Sequence, residues 1–117
     1  MVAAAIGLAV AVAVVRPRRV VVEGPSMEPT LKAGDRLLVL RRSTLALGDI
    51  VAFEDPGGEE RLLVKRVVEV IGRAVVVEGD NRGSSTDSRV FGPVEAGAVI
   101  GRAVYRYGPA GRTGLLV

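Results

Sequence analysis

The 117-residue chain contains no cysteine and no histidine. Without histidine a Ser-His-Asp triad is impossible, and without cysteine there is no thiol nucleophile. A zinc site would have to be built from carboxylates alone, which is uncommon. Nucleophilic chemistry would therefore need Ser or Thr with a base other than imidazole, for which lysine is the best remaining candidate. We expect no metal and no other cofactor; because no disulfide can form, the redox compartment stays open.

The charges are nearly balanced and aromatic side chains are few. The chain has 16 basic and 13 acidic residues, a formal net charge of +3, two Phe, two Tyr and no Trp. It therefore lacks the basic stripe and the stacking platform that are typical of nucleic-acid binders. We expect no nucleic-acid partner.

Residues 1–15 are uncharged and end at Arg16-Pro17-Arg18-Arg19. As a helix this run would be about 22 Å long, short of the ~30 Å hydrocarbon core, yet its uniform apolarity favours a membrane anchor. A truncated start site, a signal-peptide-like segment and an amphipathic patch are the alternatives. We assign residues 1–19 to an anchor with a basic junction and residues 20–117 to one domain. The arginines after the run favour a cytoplasmic position for that domain.

From residue 19 onward the sequence predicts an all-β domain. Short runs rich in Val, Leu and Ile alternate with turn clusters and show no convincing amphipathic helix. Asp55-Pro56-Gly57-Gly58 and Ile71-Gly72-Arg73 should close hairpins. We expect a small antiparallel sheet folded over on itself, with strands at residues 19–23, 36–41, 49–54, 61–71, 74–78 and 99–106.

Three stretches hold candidate functional residues, and each has an ordinary explanation beside the functional one. In the first, Ser26 lies between Pro25 and Pro29, after a β-branched run. Because each proline fixes its own φ and restricts the preceding residue, the serine should sit on a stiffened bend with its hydroxyl presented. The same residues also form common surface turns.

The second stretch carries Lys65 and Arg66 within an apolar strand. Strand alternation puts Lys65 on one face with Leu63 and Val67, and Arg66 on the other. Only the lysine can respond to burial by losing its proton, which would make it a base. The alternative is that both side chains lie along the sheet with their charges in water.

The third stretch, residues 79–89, contains no apolar side chain. Asp80 with Arg82 and Asp87 with Arg89 repeat one acid-x-base spacing, so that the two pairs could hold the loop and its hydroxyls in place. A solvated turn with weak surface pairs is the alternative.

Together these stretches resemble the type I signal peptidase family of membrane serine proteases. The matching blocks occur in the family's order and cover most of residues 20–106: Pro25-Ser26-Met27-Glu28-Pro29-Thr30-Leu31, Gly48-Asp49-Ile50-Val51-Ala52-Phe53, Val64-Lys65-Arg66-Val67, Gly79-Asp80-Asn81-Arg82, Thr86-Asp87-Ser88-Arg89 and Gly101-Arg102-Ala103.

The resemblance implies a Ser/Lys endopeptidase that removes N-terminal leader peptides from precursor proteins, which it binds as extended peptides. It makes Ser26 the nucleophile, Lys65 the general base and Ser85 the residue that orients the lysine amine. The loop of Ser85 would be braced by Asp80, Arg82, Asp87 and Arg89. The Ser26 backbone N–H would bind the oxyanion together with a second donor, and Gly24 stands where some members place that donor as a serine.

The chain lacks the large second β-domain of many bacterial members. In its small size and in several short sequence segments the chain also resembles nickel-type superoxide dismutase maturation proteases. These would perform the same cleavage on a metalloenzyme precursor. For secretory precursors we expect a single-pass membrane protein with an extracytoplasmic catalytic domain; the cytoplasmic face or cytoplasm is the alternative. A self-cleaving repressor-type Ser/Lys protein would need a DNA-binding helical domain, and none is visible before residue 19. A non-enzymatic β-scaffold or membrane adaptor is the remaining hypothesis.

Overall fold

Residues 17–42 and 44–116, which the computed structural model describes, form one antiparallel sheet of eight strands. The strands are β1 (Arg18–Val21), β2 (Arg36–Leu40), β3 (Ile50–Glu54), β4 (Leu62–Ile71), β5 (Ala74–Glu78), β6 (Val94–Glu95), β7 (Val99–Gly108) and β8 (Gly114–Leu115). One four-residue helix, α1 (Ser88–Phe91), and two 3-10 turns, Arg82–Ser84 and Ala96–Ala98, complete the regular structure of this part of the chain. The predicted all-β class is confirmed.

The six predicted strands agree with β1 to β5 and β7 to within two residues at each end. The two-residue strands β6 and β8 were not predicted. Strand β1 begins at Arg18, inside the segment that the sequence assigned to the basic junction. The predicted anchor, residues 1–15, lies outside the described residues. Among those that are described, no helix is both long and apolar enough to cross a membrane.

The order of the strands in the sheet is β1-β2-β7-β3-β4-β5-β6, with β8 paired to β7. Both predicted hairpins are present, joining β3 to β4 and β4 to β5. Strand β7 lies between β2 and β3 and so joins the β1–β2 pair to the rest of the sheet. The β1–β2 connection, which contains Ser26, and the β5–α1 connection, which contains Ser85, are therefore both carried by one hydrogen-bonded framework.

The core consists of two apolar clusters, and β3 contributes to both of them. Its residues alternate, because successive side chains of a strand point to opposite faces: Ile50 and Ala52 enter the first cluster, Val51 and Phe53 the second. The first also receives Met27 and Leu31 from the β1–β2 connection. In the second, the Phe91 ring of α1 meets Phe53 edge to face at 6.0 Å between ring centroids. Both connections that hold candidate residues are thus anchored in the core.

Candidate active site

Ser26 lies on a short turn that two apolar side chains fasten to the sheet. Gly24 has φ +72°, a backbone conformation that side chains other than glycine adopt at a cost, and it lets the chain leave β1 sharply. Met27 and Leu31 are 1% and 0% exposed, and the Leu31 N–H donates to the Met27 carbonyl at 2.9 Å. Ser26 itself is half-buried on this well-anchored turn.

Lys65 lies in the first half of β4 and is only 3% exposed. It lies on the face of the second cluster, which also contains Leu63 and Val67. Its charge is therefore not held in water, and Nζ donates to Ser85 Oγ at 3.2 Å. Burial holds the pKa of Lys65 below its ordinary value; the Asp87 charge opposes that effect, and the Arg61 and Arg89 charges add to it.

Ser26 and Lys65 line the same small cavity, of about 40 Å³. Apolar walls come from Val22 and from the first residues of β4. Two charged residues that the sequence did not single out, Glu23 and Arg61, complete the lining. A buried amine of lowered pKa beside a serine on an anchored turn is an arrangement that can activate a hydroxyl group.

Ser85 and Asp87 form a hydrogen-bonded pair behind the lysine. Ser85 Oγ donates to Asp87 Oδ2 at 2.6 Å, and the Gly79 N–H donates to the same carboxylate oxygen at 2.9 Å. Arg89 donates to both carboxylate oxygens, Nε to Oδ1 at 2.9 Å and Nη2 to Oδ2 at 2.8 Å. Burial opposes ionisation of Asp87, which is 0% exposed, but the hydrogen bonds from Arg89, Ser85 and Gly79 outweigh it and hold its pKa below the ordinary range.

This pairing decides which way the Ser85 hydroxyl points. An ionised carboxylate only accepts hydrogen bonds, so the Ser85 proton is committed to Asp87. The Ser85 oxygen is then an acceptor for the Lys65 amine and for the Gly79 N–H, the latter at 3.1 Å. A neutral Lys65 would thus meet Ser85 through one N–H and would not use its lone pair in that contact.

Asp80 does not pair with Arg82, the partner that the acid-x-base spacing suggested. Both of its carboxylate oxygens accept from Arg66 at 2.8 Å, and Oδ2 also accepts from the Thr30 hydroxyl at 2.6 Å. Arg82 points elsewhere, with Nε 3.8 Å from a Glu78 carboxylate oxygen and its side chain 73% exposed. The predicted Asp80–Arg82 pair is therefore wrong, because Arg66 on the neighbouring strand β4 presents a forked donor to the loop.

Besides Asp80, the loop residues Gly79 and Asn81 also join the loop to the serine turn. The Asn81 N–H donates to the Ser26 carbonyl at 2.8 Å, and Asn81 Nδ2 donates to the Pro25 carbonyl at 3.1 Å. A Cβ on Gly79 would overlap the Ser85 side chain and the Ser26 carbonyl oxygen. Close approach of the backbones is thus what brings the turn and the loop together. Sequence reasoning gave no role to Asn81 or Thr30, whose partners lie about fifty residues away.

The described residues contain no group of three or more acidic side chains placed to hold a metal ion.

Comparisons with known proteins show the family of the chain. The family described as signal peptidase, peptidase S26, matches residues 1–79 and 70–108. The chain is 30% identical to human mitochondrial inner membrane protease subunit 1 over 121 residues, covering 83% of this chain and 73% of that protein. It is 34% identical to Arabidopsis thaliana mitochondrial ATP-independent inner membrane protease subunit 1a, over 75% of this chain and 68% of the relative.

A third relative, Arabidopsis thaliana mitochondrial ATP-independent inner membrane protease subunit 2, is 30% identical over 71% of this chain. The match spans 54% of that relative, so the chain corresponds to little more than half of its length. The chain belongs to the S26 signal peptidase family.

Proposed function

We propose that this protein is a serine endopeptidase that acts at a membrane and removes N-terminal leader peptides from precursor proteins. Ser26 is the nucleophile and Lys65 is the general base. Family membership supports peptide-bond hydrolysis, and the names of the inner membrane proteases among its relatives support action at a membrane. The observation that carries the proposal is the placement of the nearly fully buried Lys65 and the half-buried Ser26 around one cavity.

Each half of the reaction uses the same two side chains. Neutral Lys65 Nζ takes the proton of Ser26 Oγ as the oxygen attacks the scissile carbonyl, and the protonated amine then gives that proton to the departing amine of the peptide. The acyl-enzyme is hydrolysed when Lys65 takes a proton from water, whose oxygen attacks the ester carbon. The bond from that carbon to Ser26 Oγ then breaks, and the protonated amine returns the proton to Oγ, which restores both side chains. The Ser26 backbone N–H stabilises the oxyanion in both steps, and the segment around Gly24 is the place for a second donor.

Ser85 and its carboxylate partner keep the base in the required orientation. Because the Ser85 oxygen accepts from Lys65, the neutral amine directs one N–H toward Ser85, and its lone pair is not used in that contact. In the proposed reaction that lone pair accepts the Ser26 proton. In this proposal Asp87 and Arg89 position Ser85, while Asp80, with Arg66 and Thr30, holds the loop against the serine turn.

The sheet leaves room for a substrate strand next to the cavity. Strand β5 pairs with β4 from Arg66 to Ile71, and within the described residues this register does not extend to the start of β4 at Leu62. Residues 62–65 and the segment after β1 border the cavity from two sides. An extended peptide can add to such an edge through its backbone, and a cavity of about 40 Å³, close to the volume of one water molecule, admits only a small side chain.

The test is cleavage of two peptides by the purified full chain in detergent micelles. One peptide carries a secretory-type leader with small residues before the scissile bond, and the other carries the N-terminus of a nickel-type superoxide dismutase precursor. Ser26→Ala and Lys65→Ala should each abolish cleavage, and Ser85→Ala should lower kcat by roughly a hundredfold, as loss of positioning does. Ser84→Ala, at the exposed neighbouring serine, is the matched control and should retain the parent rate.

Cleavage by Ser26→Ala or Lys65→Ala at the parent rate would reject the catalytic assignment. The preferred peptide identifies the class of substrate. Cleavage of neither peptide, in a preparation that circular dichroism shows to be folded, would favour the non-enzymatic scaffold.

A further inference from the structure

A buried carboxylate lies just after the serine turn in the chain, and its hydrogen-bond partners do not include the loop that carries Ser85. Asp35 is 1% exposed and accepts from three donors of two other segments. Arg112 donates to both carboxylate oxygens, Nε to Oδ1 and Nη2 to Oδ2, each at 2.9 Å, and Arg106 Nη1 donates to Oδ2 at 3.2 Å. The Lys32 N–H donates to Oδ2 at 2.9 Å, so the carboxylate also stabilises the bend at residues 32–35, which follows the serine turn.

Arg106 connects this carboxylate to the serine turn itself. Its Nη1 donates to the Thr30 carbonyl at 3.0 Å in addition to Asp35, and its Nε donates to the Arg112 carbonyl. Thr30 is the residue whose hydroxyl donates to Asp80 in the opposite loop. The turn is therefore held at its start by Asn81, which donates to the Pro25 and Ser26 carbonyls, and at its end by Arg106.

We propose that Arg106 and Arg112 are positioning residues for the peptidase reaction, because together with Asp35 they set the position of the turn that carries Ser26. This inference rests on the proposed function. Arg112 lies in the segment after β7, beyond residue 108, where the match to the family ends.

The geometry requires arginine at both positions. Arg112 binds the two oxygens of Asp35 with two parallel donors, and Arg106 divides its donors among a carboxylate and two backbone carbonyls. A lysine ammonium is a single charged point and cannot reproduce a forked contact. Loss of Arg106 removes the donor to the Thr30 carbonyl, and loss of Arg112 leaves Asp35, the partner of Arg106, buried with fewer donors. On this proposal either change loosens the end of the serine turn and displaces the Ser26 oxygen from the direction of attack.

The experiment compares Arg106→Gln, Arg112→Gln and Arg112→Lys with the parent full chain in detergent. Arg102→Gln is the matched control. Arg102 lies on β7 like Arg106, its side chain is 22% exposed against 18%, and it pairs with a carboxylate, that of Asp49 at 3.3 Å, which has no contact with the serine turn. Steady-state cleavage gives kcat and KM, thermal unfolding gives Tm, and hydrogen–deuterium exchange reports the backbone amides of residues 27–35.

We expect both glutamine variants to lower kcat by roughly ten- to a hundredfold with KM changed less than about twofold, because misplacement of a reacting group weakens the chemical step more than binding. Arg112→Lys should recover only part of kcat. Arg102→Gln should keep the parent kcat at a similar loss of Tm. Exchange at residues 27–35 should accelerate in the Arg106 and Arg112 variants alone.

The inference is overturned if the glutamine variants keep the parent kcat, or if they lose activity only in proportion to their loss of Tm, as the control does. Should the parent cleave no peptide, the proposed function fails, and the exchange data still decide the structural claim: unchanged exchange at residues 27–35 in both glutamine variants refutes it. Cleavage that needs Ser26 and Lys65 but neither arginine would uphold the function and refute the inference.

Discussion

Lys65 experiences opposing electrostatic influences whose balance sets the pH at which it can act as a base. Burial and the charges of Arg61 and Arg89 favour the neutral amine, whereas the charge of Asp87 favours the ammonium. The net effect lowers the pKa of Lys65 from its ordinary value of 10.5. On the proposed mechanism the active form is the neutral amine, so activity is absent at acidic pH and rises as the pH passes the pKa of Lys65.

The first prediction is that Asp87→Asn moves this rise in activity to lower pH. Removing the carboxylate charge removes the largest of the influences that raise the Lys65 pKa, and it leaves the Arg89 charge nearby without its partner. The limiting kcat should also fall by about tenfold or more, because Ser85 loses the acceptor that fixes its hydroxyl. The measurement is the pH profile of kcat/KM for parent and variant. A rise displaced to higher pH would contradict the assignment of Lys65 as the base.

The site is made by the contact of two irregular segments, the turn after β1 and the loop after β5. Each segment is tied to its own cluster of the core. They meet through hydrogen bonds of Asp80 and Asn81 and through a close backbone approach at Gly79. The spacing of Ser26 from Ser85 therefore depends on the absence of a side chain at one position.

The second prediction concerns this contact. Gly79→Ala should lower Tm and reduce kcat by at least about a hundredfold, because the added methyl group would overlap the Ser26 carbonyl oxygen and the Ser85 side chain and must separate the two segments. Gly83→Ala is the matched control, since the same methyl group meets nothing within 4 Å there. Differential scanning calorimetry with the cleavage assay tests both variants. Equal behaviour of the two would refute the close-approach argument.

Long strands were predictable from the sequence because their signal is local. In β4 and β7 the Val-rich runs and the turn residues at their ends contain the information that sets their limits. Strands β6 and β8 are two residues long, and they exist because β5 and β7 offer partners of suitable register. No pattern within two residues can indicate such pairing.

The candidate site shows the same division between local and distant contacts. Asp87 and Arg89 are two positions apart and do form an ion pair, as their spacing suggested. The spacing argument failed for Asp80, whose partners are 14 and 50 positions away. The cluster of Asp35 with Arg106 and Arg112, separated by more than 70 positions, carried no local signal at all. Contacts made by folding distant segments together require knowledge of the register between strands.

For the molecule as a whole, buried carboxylates connect stability to pH. Hydrogen bonds from Arg112 are the main cause that lowers the pKa of Asp35 from 3.8 to about 2. Asp87 and Asp80 are shifted in the same direction. A carboxyl group whose folded-state pKa is depressed contributes stability above its unfolded pKa, and that contribution is lost as the pH falls through the folded pKa.

The third prediction is that the free energy of unfolding falls between pH 4 and pH 2. Asp35 alone should account for about 2 kcal/mol of the loss, given the size of its pKa shift. Asp35→Asn should be less stable than the parent at pH 7 and should depend less on pH in the acid range. Urea unfolding followed by circular dichroism at pH 7, 4 and 2 measures both effects. A parent chain that is equally stable at pH 2 and pH 7 would contradict this account.

The burial of Lys65 has a consequence for the life of the protein in a cell. A lysine in an unfolded or half-folded chain is hydrated, keeps its ordinary pKa and carries a proton at neutral pH. On the proposed mechanism a newly made chain is therefore harmless to itself and to its neighbours until the strands around β4 have closed over the amine. Completion of folding then serves as the activation step that many other proteases achieve by removing a propeptide.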